Sequence, residues 1–276
     1  MTSYPLQKYW ETTLPTLYDV WYGWHRKDQP ARFVTDILAE LGVLKKETEH
    51  ELHILDCACG TGNPSLALLE MGINVTSSDG SSTMLEFARK HALEMGLHDK
   101  FRCHQIIWSE LATVLSPKRY DAVICTGNSI CHVPPSGVRD AVENMFKVLR
   151  PGGACIIDIK RYSERIREIH FDKVHGWVEL DIRRVGPRQL ADGRISEFTT
   201  TLIYNNKDVP GRTYDIALEL RFDDSKYKRY VFPVWAITSE MVLGCMRDAG
   251  LHVFPLKITP NPQKWKYDFC IGQRRL

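Results

Sequence analysis

Gly60-Thr61-Gly62 stands just behind the apolar stretch ELHILDCA, and Asp79 closes the next one, INVTSSD. Glycines at such a turn let the backbone approach a ligand closely, because neither carries a Cβ. The helix that follows offers unpaired backbone N–H groups at the same edge. An acidic residue ending the second strand sits where a ribose can be held through both of its hydroxyls. These types at this spacing form a nucleoside site; the alternative is the strand–turn–helix–strand of ordinary α/β packing. A dinucleotide fingerprint needs a third glycine so that helix and strand pack tightly, but the run continues Asn63-Pro64-Ser65. A nicotinamide dinucleotide is therefore disfavoured.

The elements that must position these residues follow from hydrophobic periodicity. Phe33, Ile37, Leu38, Leu41 and Leu44 recur at helical spacing behind Pro30. ELHILDCA reads as a buried strand, PSLALLEMG as a short helix closed by Gly72, and INVTSSD as a strand. SSTMLEFARKHALEMG is a helix with Ser81 or Ser82 as cap. KFRCHQIIW, YDAVICTGNS and ACIIDIK are further strands, with the helix VRDAVENMFKVLRPGG before the last. Strands alternating with helices imply a parallel sheet covered on both faces.

After Tyr162 the rhythm changes. GRISEFTTTLIYNN, TYDIALELRFDD and YKRYVFPVW are extended and separated by turn residues, which predicts a small inserted antiparallel sheet. TSEMVLGCMRDAGL returns to helix, and LHVFPLKI and WKYDFCIGQRR close as a strand pair, the last strand antiparallel to its neighbours.

Bulk properties narrow the function classes. A chain of 276 residues, 43% hydrophobic and 25% charged, suits one large α/β domain or one with an appendage. A formal net charge of +2 gives no electrostatic footprint for nucleic acid or a membrane surface. MTSYPLQKYW lacks the pattern of a secretory leader, and no apolar run reaches the ~20 residues of a membrane span. Cys57, Cys125, Cys131, Cys155 and Cys270 lie in apolar segments and read as buried reduced thiols of a cytoplasmic protein. Cys57 and Cys59 lack zinc-ribbon spacing, so no metal is expected.

The segment Asp56 to Gly62, DCACGTG, resembles the first motif of the class I S-adenosylmethionine-dependent methyltransferases. Asp79 resembles their ribose-binding acid, YDAVICTGNSICHV the motif whose strand end faces the sulfonium, and LRPGGACIIDI the turn and strand that follow. These pieces run in the family's order from about Leu52 to Ile159. ACGTG, DGSSTML, DAVICTGNSICH and the tail MRDAGLHVFPLKI with KYDFCIG look most like the glycine and glycine/sarcosine N-methyltransferases. The likeness is close in the cofactor half and loose over about Ile166 to Tyr230. It implies a Rossmann-like α/β fold with a mostly parallel seven-stranded sheet and an inserted antiparallel sheet. Residues 1–30 would form a lid, 31–162 with 236–276 the cofactor domain, and 163–235 the inserted substrate subdomain.

The resemblance also implies roles, with S-adenosyl-L-methionine as cofactor and S-adenosyl-L-homocysteine as product. Cofactor contacts fall on Asp56, Ala58, Gly60, Gly62, Asp79, Gly80 and Thr126, with Met84 and Trp108 as an apolar slot for adenine. Met84 and Trp108 read equally as core residues. Tyr18, Trp21 and Arg26 look like lid residues closing over the methionine part, with His132 beside it; Arg26 reads equally as a surface charge. Asn128 would touch the acceptor, or serve simply as a turn residue after Gly127, as His132 would serve as a polar residue before Pro134. The family's carboxylate-binding arginine falls in strict register on Lys160, with Arg161 one step on and Tyr162 behind it. A lysine is a point charge where an arginine is a two-bond fork, so either Arg161 supplies the fork or the substrate is not plain glycine. Phe232 stands where the tetrameric glycine enzymes carry a tyrosine.

The expected function is N-methylation of a small amine or amino acid. An O-methyltransferase acting on a hydroxyl or carboxylate of a natural product is the alternative, and a non-catalytic S-adenosylmethionine-binding protein a third. Neither nucleic acid nor membrane is an expected partner, and a monomer and a homo-oligomer are both compatible with the resemblance.

Overall fold

A computed structural model describes residues 11, 15, 18, 28–44, 51–160, 177–189, 195–205, 213–222, 227–255, 257–260 and 266–276. Of residues 28–30, 177–189, 195–205, 213–222, 227–233, 258–260 and 266 it describes the backbone.

Among the described elements, helix α1 (Asp28–Glu40) is followed by β1 (His53–Asp56), α2 (Asn63–Glu70), β2 (Asn74–Asp79), α3 (Ser82–Glu94) and β3 (Arg102–Gln105). A short α4 (Leu111–Val114), β4 (Tyr120–Cys125), α5 (Pro135–Val148) and β5 (Leu149–Lys160) follow. These strands pair in parallel in the order β5-β4-β1-β2-β3. Strand order reverses between β1 and β4, and ligands of open α/β sheets bind at such a switch point beyond the strands' carboxyl ends.

Each face of the sheet is covered as the periodicity predicts. Val138, Ala141, Val142, Met145 and Val148 of α5 form one apolar stripe against Cys155, Ile157 and Ile159. Ala31, Val34, Ile37 and Leu38 of α1 join Leu66 to Leu69 of α2 on the other face. Ser81 is the cap of α3, its side-chain oxygen accepting the Met84 N–H at 3.0 Å.

Beyond β5 lie β6 (Trp177–Gln189), β7 (Ile195–Asn205), β8 (Thr213–Phe222) and β9 (Tyr227–Trp235), an antiparallel sheet in sequential order. Three of these strands are the predicted ones. β6 was not anticipated: its DIRRVGPRQ carries Gly186, Pro187 and three arginines, and its pairing with β7 is interrupted by two register shifts. Helix α6 (Ser239–Asp248) then leads to β10 (Leu251–Val253), β11 (Lys257–Pro260) and β12 (Lys266–Arg274).

LHVFPLKI is two strands and not one. β10 and β11 both pair antiparallel with β12, on either side of a break at Pro255, whose ring has no N–H for a ladder. They share one edge, so the main sheet has seven strand positions although eight segments build it. β12 runs antiparallel to β5, as the closing hairpin requires. KFRCHQIIW is extended only over Arg102–Gln105; Trp108 opens a 3₁₀ turn that ends at Glu110.

Gly153 in β5 marks a tight approach. A Cβ there would lie 2.9 Å from the Asp121 carbonyl oxygen and 3.0 Å from that of Arg150, both backbone atoms. Gly153→Ala should therefore lower stability by about 1–3 kcal/mol in urea unfolding. Gly244→Ala, on α6 with open space around it, should instead leave stability unchanged or raise it by about 0.5–1 kcal/mol.

Candidate functional site

Carboxylates stand at the ends of several strands, and each accepts hydrogen bonds from a neighbouring turn. At the end of β1, Asp56 is fully buried, accepting the Ser65 hydroxyl at 2.7 Å and the Ala58 N–H at 3.3 Å. Ser77 Oγ donates to Ser65 Oγ at 2.8 Å, which extends the bond to β2. At the end of β2, Asp79 accepts the Gly60 N–H and the Ser81 N–H, each at 2.9 Å. Asp79 thus holds the glycine turn after β1 and the turn into α3 together.

The glycines divide the work. Gly60 has φ 53°, and a Cβ there would stand 3.8 Å from the Met84 methyl carbon, so the turn passes a gap floored by Met84. Gly62 has φ 94°, and its Cβ would meet Leu66 at 3.0 Å and Ala88 at 3.2 Å. The missing side chain at Gly62 therefore lets α2 and α3 pack, which is the task the absent third glycine performs in a dinucleotide fingerprint. Thr61 is buried, its carbonyl 2.9 Å from His91 Nδ1. Trp108 is half-buried, and its indole N–H donates to the Cys57 carbonyl at 2.7 Å, fixing the ring beside the β1 turn. Ala58 is half-buried on the same turn, and Gly80 accepts the Gln105 amide at 3.2 Å.

A second cluster lies beyond β4 and β5. Thr126 is buried and its carbonyl accepts the Ser129 hydroxyl at 2.7 Å. Gly127 and Asn128 both adopt left-handed backbone, with φ 81° and 63°. Asparagine tolerates that region better than most residues. Asp158 holds the corner, accepting the Gly127 N–H at 3.0 Å and the Asn128 N–H at 2.6 Å. Asn128 replies across the gap, its Oδ1 accepting the Lys160 N–H at 2.9 Å and the Cys131 thiol at 3.2 Å. The Lys160 ammonium lies 5.7 Å from the centre of the Tyr267 ring. Tyr18 reaches this rim from the N-terminal side, its hydroxyl 3.8 Å from where a Gly127 Cβ would be.

Burial sets the charges. It pushes the Asp56 carboxyl up to about 7, with the Asp79 charge adding to the rise against the Ser65 and Ala58 hydrogen bonds. It raises Asp79 as well, against the Ser81 and Gly60 N–H groups. Asp158 is raised to about 6, with the Asn128 and Gly127 N–H groups and the Lys160 charge pulling the other way. Burial, helped by Lys160, lowers His132 to about 4, so its ring is neutral near pH 7.

The structure thus gathers Asp56, Ala58, Gly60, Asp79, Gly80, Met84 and Trp108 around the ends of β1 and β2. It gathers Thr126, Asn128, His132, Lys160 and Tyr18 around the ends of β4 and β5. Trp21, Arg26, Arg161 and Tyr162 lie outside the described residues. Asp158 was not singled out from the sequence, although a lone acid inside the apolar strand ACIIDIK is a signal for a buried, hydrogen-bonded carboxylate. All eight cysteines are unpaired thiols, the five expected as buried among them.

Comparison with known proteins agrees with this geometry. Residues 54–153 match the model of a methyltransferase domain. The glycine N-methyltransferase of Rattus norvegicus is 38% identical over 132 residues, 45% of this chain and 44% of that one. The glycine/sarcosine N-methyltransferase of Halorhodospira halochloris is 36% identical over 125 residues, 45% of each. The matched segments thus span less than half the length of these curated relatives. An S-adenosylmethionine-bound amino pentose methyltransferase from Micromonospora echinaspora superposes with a TM-score of 0.68 at 16% identity, covering 94% of this chain and 96% of that one. A S-adenosylmethionine-dependent methyltransferase from Clostridium acetobutylicum gives 0.64 at 18% identity, covering 91% and 92%. The fold is that of S-adenosylmethionine-dependent methyltransferases, as the motifs implied.

The raised Asp56 carboxyl has a measurable consequence. Folded Asp56 ionises at about 7 and unfolded aspartate at the ordinary 3.8. Between those limits the folded state holds more protons, so stability falls as pH rises from about 4 to 7. Asp56→Asn removes this contribution, so urea unfolding across that range should show a shallower decline for the variant than for the wild type; the raised Asp158 and Asp79 carboxyls keep part of the decline and the lowered His132 opposes it.

Proposed function

We propose that the protein is an S-adenosylmethionine-dependent N-methyltransferase whose acceptor is a small amine or amino acid of the glycine or sarcosine kind. The observation that carries this reading is the pair of clusters at the sheet's switch point, one suited to a nucleoside and the other carrying a cation. The methyltransferase domain match over residues 54–153 and the glycine-type relatives support it.

The residues present fit the cofactor. Gly60 leaves a gap that a Cβ would narrow, with the Met84 methyl as its floor. Asp79 is half-buried, and a carboxylate has about four lone-pair sites, so two backbone N–H bonds leave room for a diol. Gly60 and Asp79 would hold the adenosine, Met84 and Trp108 flanking the base. Tyr18, Trp21, Arg26 and His132 would enclose the methionine part. Bound S-adenosylmethionine supplies a methyl group already activated by its sulfonium.

Because the donor is activated, the chain's task is to hold a neutral amine in line with the methyl carbon in a dehydrated site. Asn128, fixed by Asp158 in its left-handed corner, would orient the amine. Lys160, with Arg161 and Tyr162 beside it in sequence, would bind the acceptor's carboxylate as the counter-charge. The neutral His132 ring adds no positive charge next to a cationic cofactor. Proton loss from the product amine needs only water, so a strong base is not required.

Mass spectrometry tests the proposal with S-adenosylmethionine and glycine, sarcosine or dimethylglycine supplied separately. A gain of one methyl mass on glycine or sarcosine is expected. Binding of S-adenosylmethionine with no product from any acceptor would overturn the glycine-type reading. Asp79→Ala should weaken S-adenosylmethionine binding about ten- to a hundred-fold, equivalent to about 1.4–2.8 kcal/mol. Lys160→Met should raise the acceptor KM at least about ten-fold while leaving cofactor affinity unchanged.

A further inference from the structure

Lys160 is the last residue of β5, and in the antiparallel ladder Tyr267 of β12 stands directly opposite it. Directly opposed residues put their side chains on the same face of the sheet, close enough to pack. Here the Lys160 ammonium lies 5.7 Å from the centre of the Tyr267 ring, within the range at which an aromatic face attracts a cation. Both residues are half-buried, so water screens the pair only in part.

The ring is itself held in place. Tyr267 packs against the core on the α1 face of the sheet, where Phe269 of the same strand meets Phe33 of α1 with ring centroids 4.2 Å apart. The lysine is tied to the other flank through its backbone, its N–H donating to Asn128 Oδ1 at 2.9 Å. Its charge reaches Asp158 and His132, both at the corner beyond β4. The ammonium is thus within reach of the ring and of that corner together.

A lysine side chain is flexible, and fixing it on a carboxylate costs rotamer entropy each time a ligand binds. An arginine loses less, because its planar fork is organised beforehand. An aromatic face beside the lysine stem can do that ordering in advance. We infer that Tyr267 is the positioning residue of the acceptor's counter-charge: its ring face stations the Lys160 ammonium at the end of β5, so that a carboxylate-bearing amine meets a cation already in place. The inference rests on the reading of Lys160 as the carboxylate-binding group. Tyr267 acts through Lys160 and takes no part in methyl transfer. The interaction requires the ring face and not the phenol hydroxyl.

The test is a double-variant cycle read in acceptor kinetics, with whichever of glycine or sarcosine the wild type methylates. Tyr267→Leu should raise the acceptor KM about three- to ten-fold. Its kcat at saturating acceptor and its S-adenosylmethionine affinity should change less than about two-fold. Tyr267→Phe keeps the ring and should retain the wild-type KM. In a Lys160→Met background Tyr267→Leu should raise KM no further, because the cation that the ring stations is gone. Tyr267→Met, nearer to tyrosine in length, takes the place of Tyr267→Leu if that variant does not fold. A second readout needs no turnover: in the ligand-free protein, acetic anhydride should acetylate Lys160 faster in Tyr267→Leu than in the wild type or Tyr267→Phe, as followed by peptide mass spectrometry. An equal rise in KM with and without Lys160 would overturn the inference and leave Tyr267 a structural residue. So would a Tyr267→Phe variant that behaves as Tyr267→Leu, or acetylation that none of the substitutions alters. Wild-type protein that binds S-adenosylmethionine and methylates no carboxylate-bearing amine would overturn instead the reading on which the inference rests, and the acetylation rates would still decide whether the ring holds the ammonium.

Discussion

The carboxyl edge of a parallel sheet leaves its turns with N–H groups that no ladder satisfies, and here aspartates take them up, Asp56 and Asp158 buried and Asp79 half-buried. Asp56, Asp79 and Asp158 lie at or near the ends of β1, β2 and β5, and each accepts backbone N–H groups from a turn at that edge. An unpaired buried N–H costs about 1–3 kcal/mol, so the arrangement fixes loops that would otherwise stay open to water. The cost falls on the carboxylates, all of which are harder to ionise than free aspartate. The hydrogen bonds that hold the edge together thus come at the expense of the ionisation of its acids.

That division gives the two flanks different characters. On the β1–β2 side acids gather, the Asp79 charge raising Asp56 and the Glu11 charge raising Asp79. On the β4–β5 side Lys160 supplies a positive charge that eases Asp158 and adds to the burial that keeps His132 neutral. In the proposed reaction a cationic donor would meet the acidic flank and an acceptor carboxylate the basic one. The polarity of the cleft is then a property of which strand ends carry acids.

Much of this was legible in the sequence because it rests on local patterns. The glycine turn, the acid at the end of β2 and the stripe along α5 are each visible within one window of residues. What was not legible depends on partners far along the chain. Asp158 meets Gly127 and Asn128, and Glu11 meets Ser82 and Thr83, across separations that no periodicity reports. β6 was hidden by Gly186, Pro187 and a run of arginines, which the ladder accommodates by shifting register. Pro255 divided a strand whose apolar pattern ran straight through it. Trp108 lies where alternation suggested a strand end, but its indole hydrogen bond to Cys57 belongs to a 3₁₀ turn.

Asn128 shows why a turn reading and a functional reading need not compete. Its left-handed backbone is a turn property, and its Oδ1 is spent on the Lys160 N–H and the Cys131 thiol. Those bonds join the end of β4 to the last residue of β5, so the residue that shapes the corner also sets where the Lys160 chain departs. A substitution there would move the cation as well as remove an amide. In the proposed acceptor site, orientation of the amine and placement of its counter-charge would therefore be one constraint, set by the Asp158 clamp and its reply from Asn128. Selectivity would then have to come from what surrounds that clamp, with the Lys160 ammonium as the charge that such an acceptor would meet.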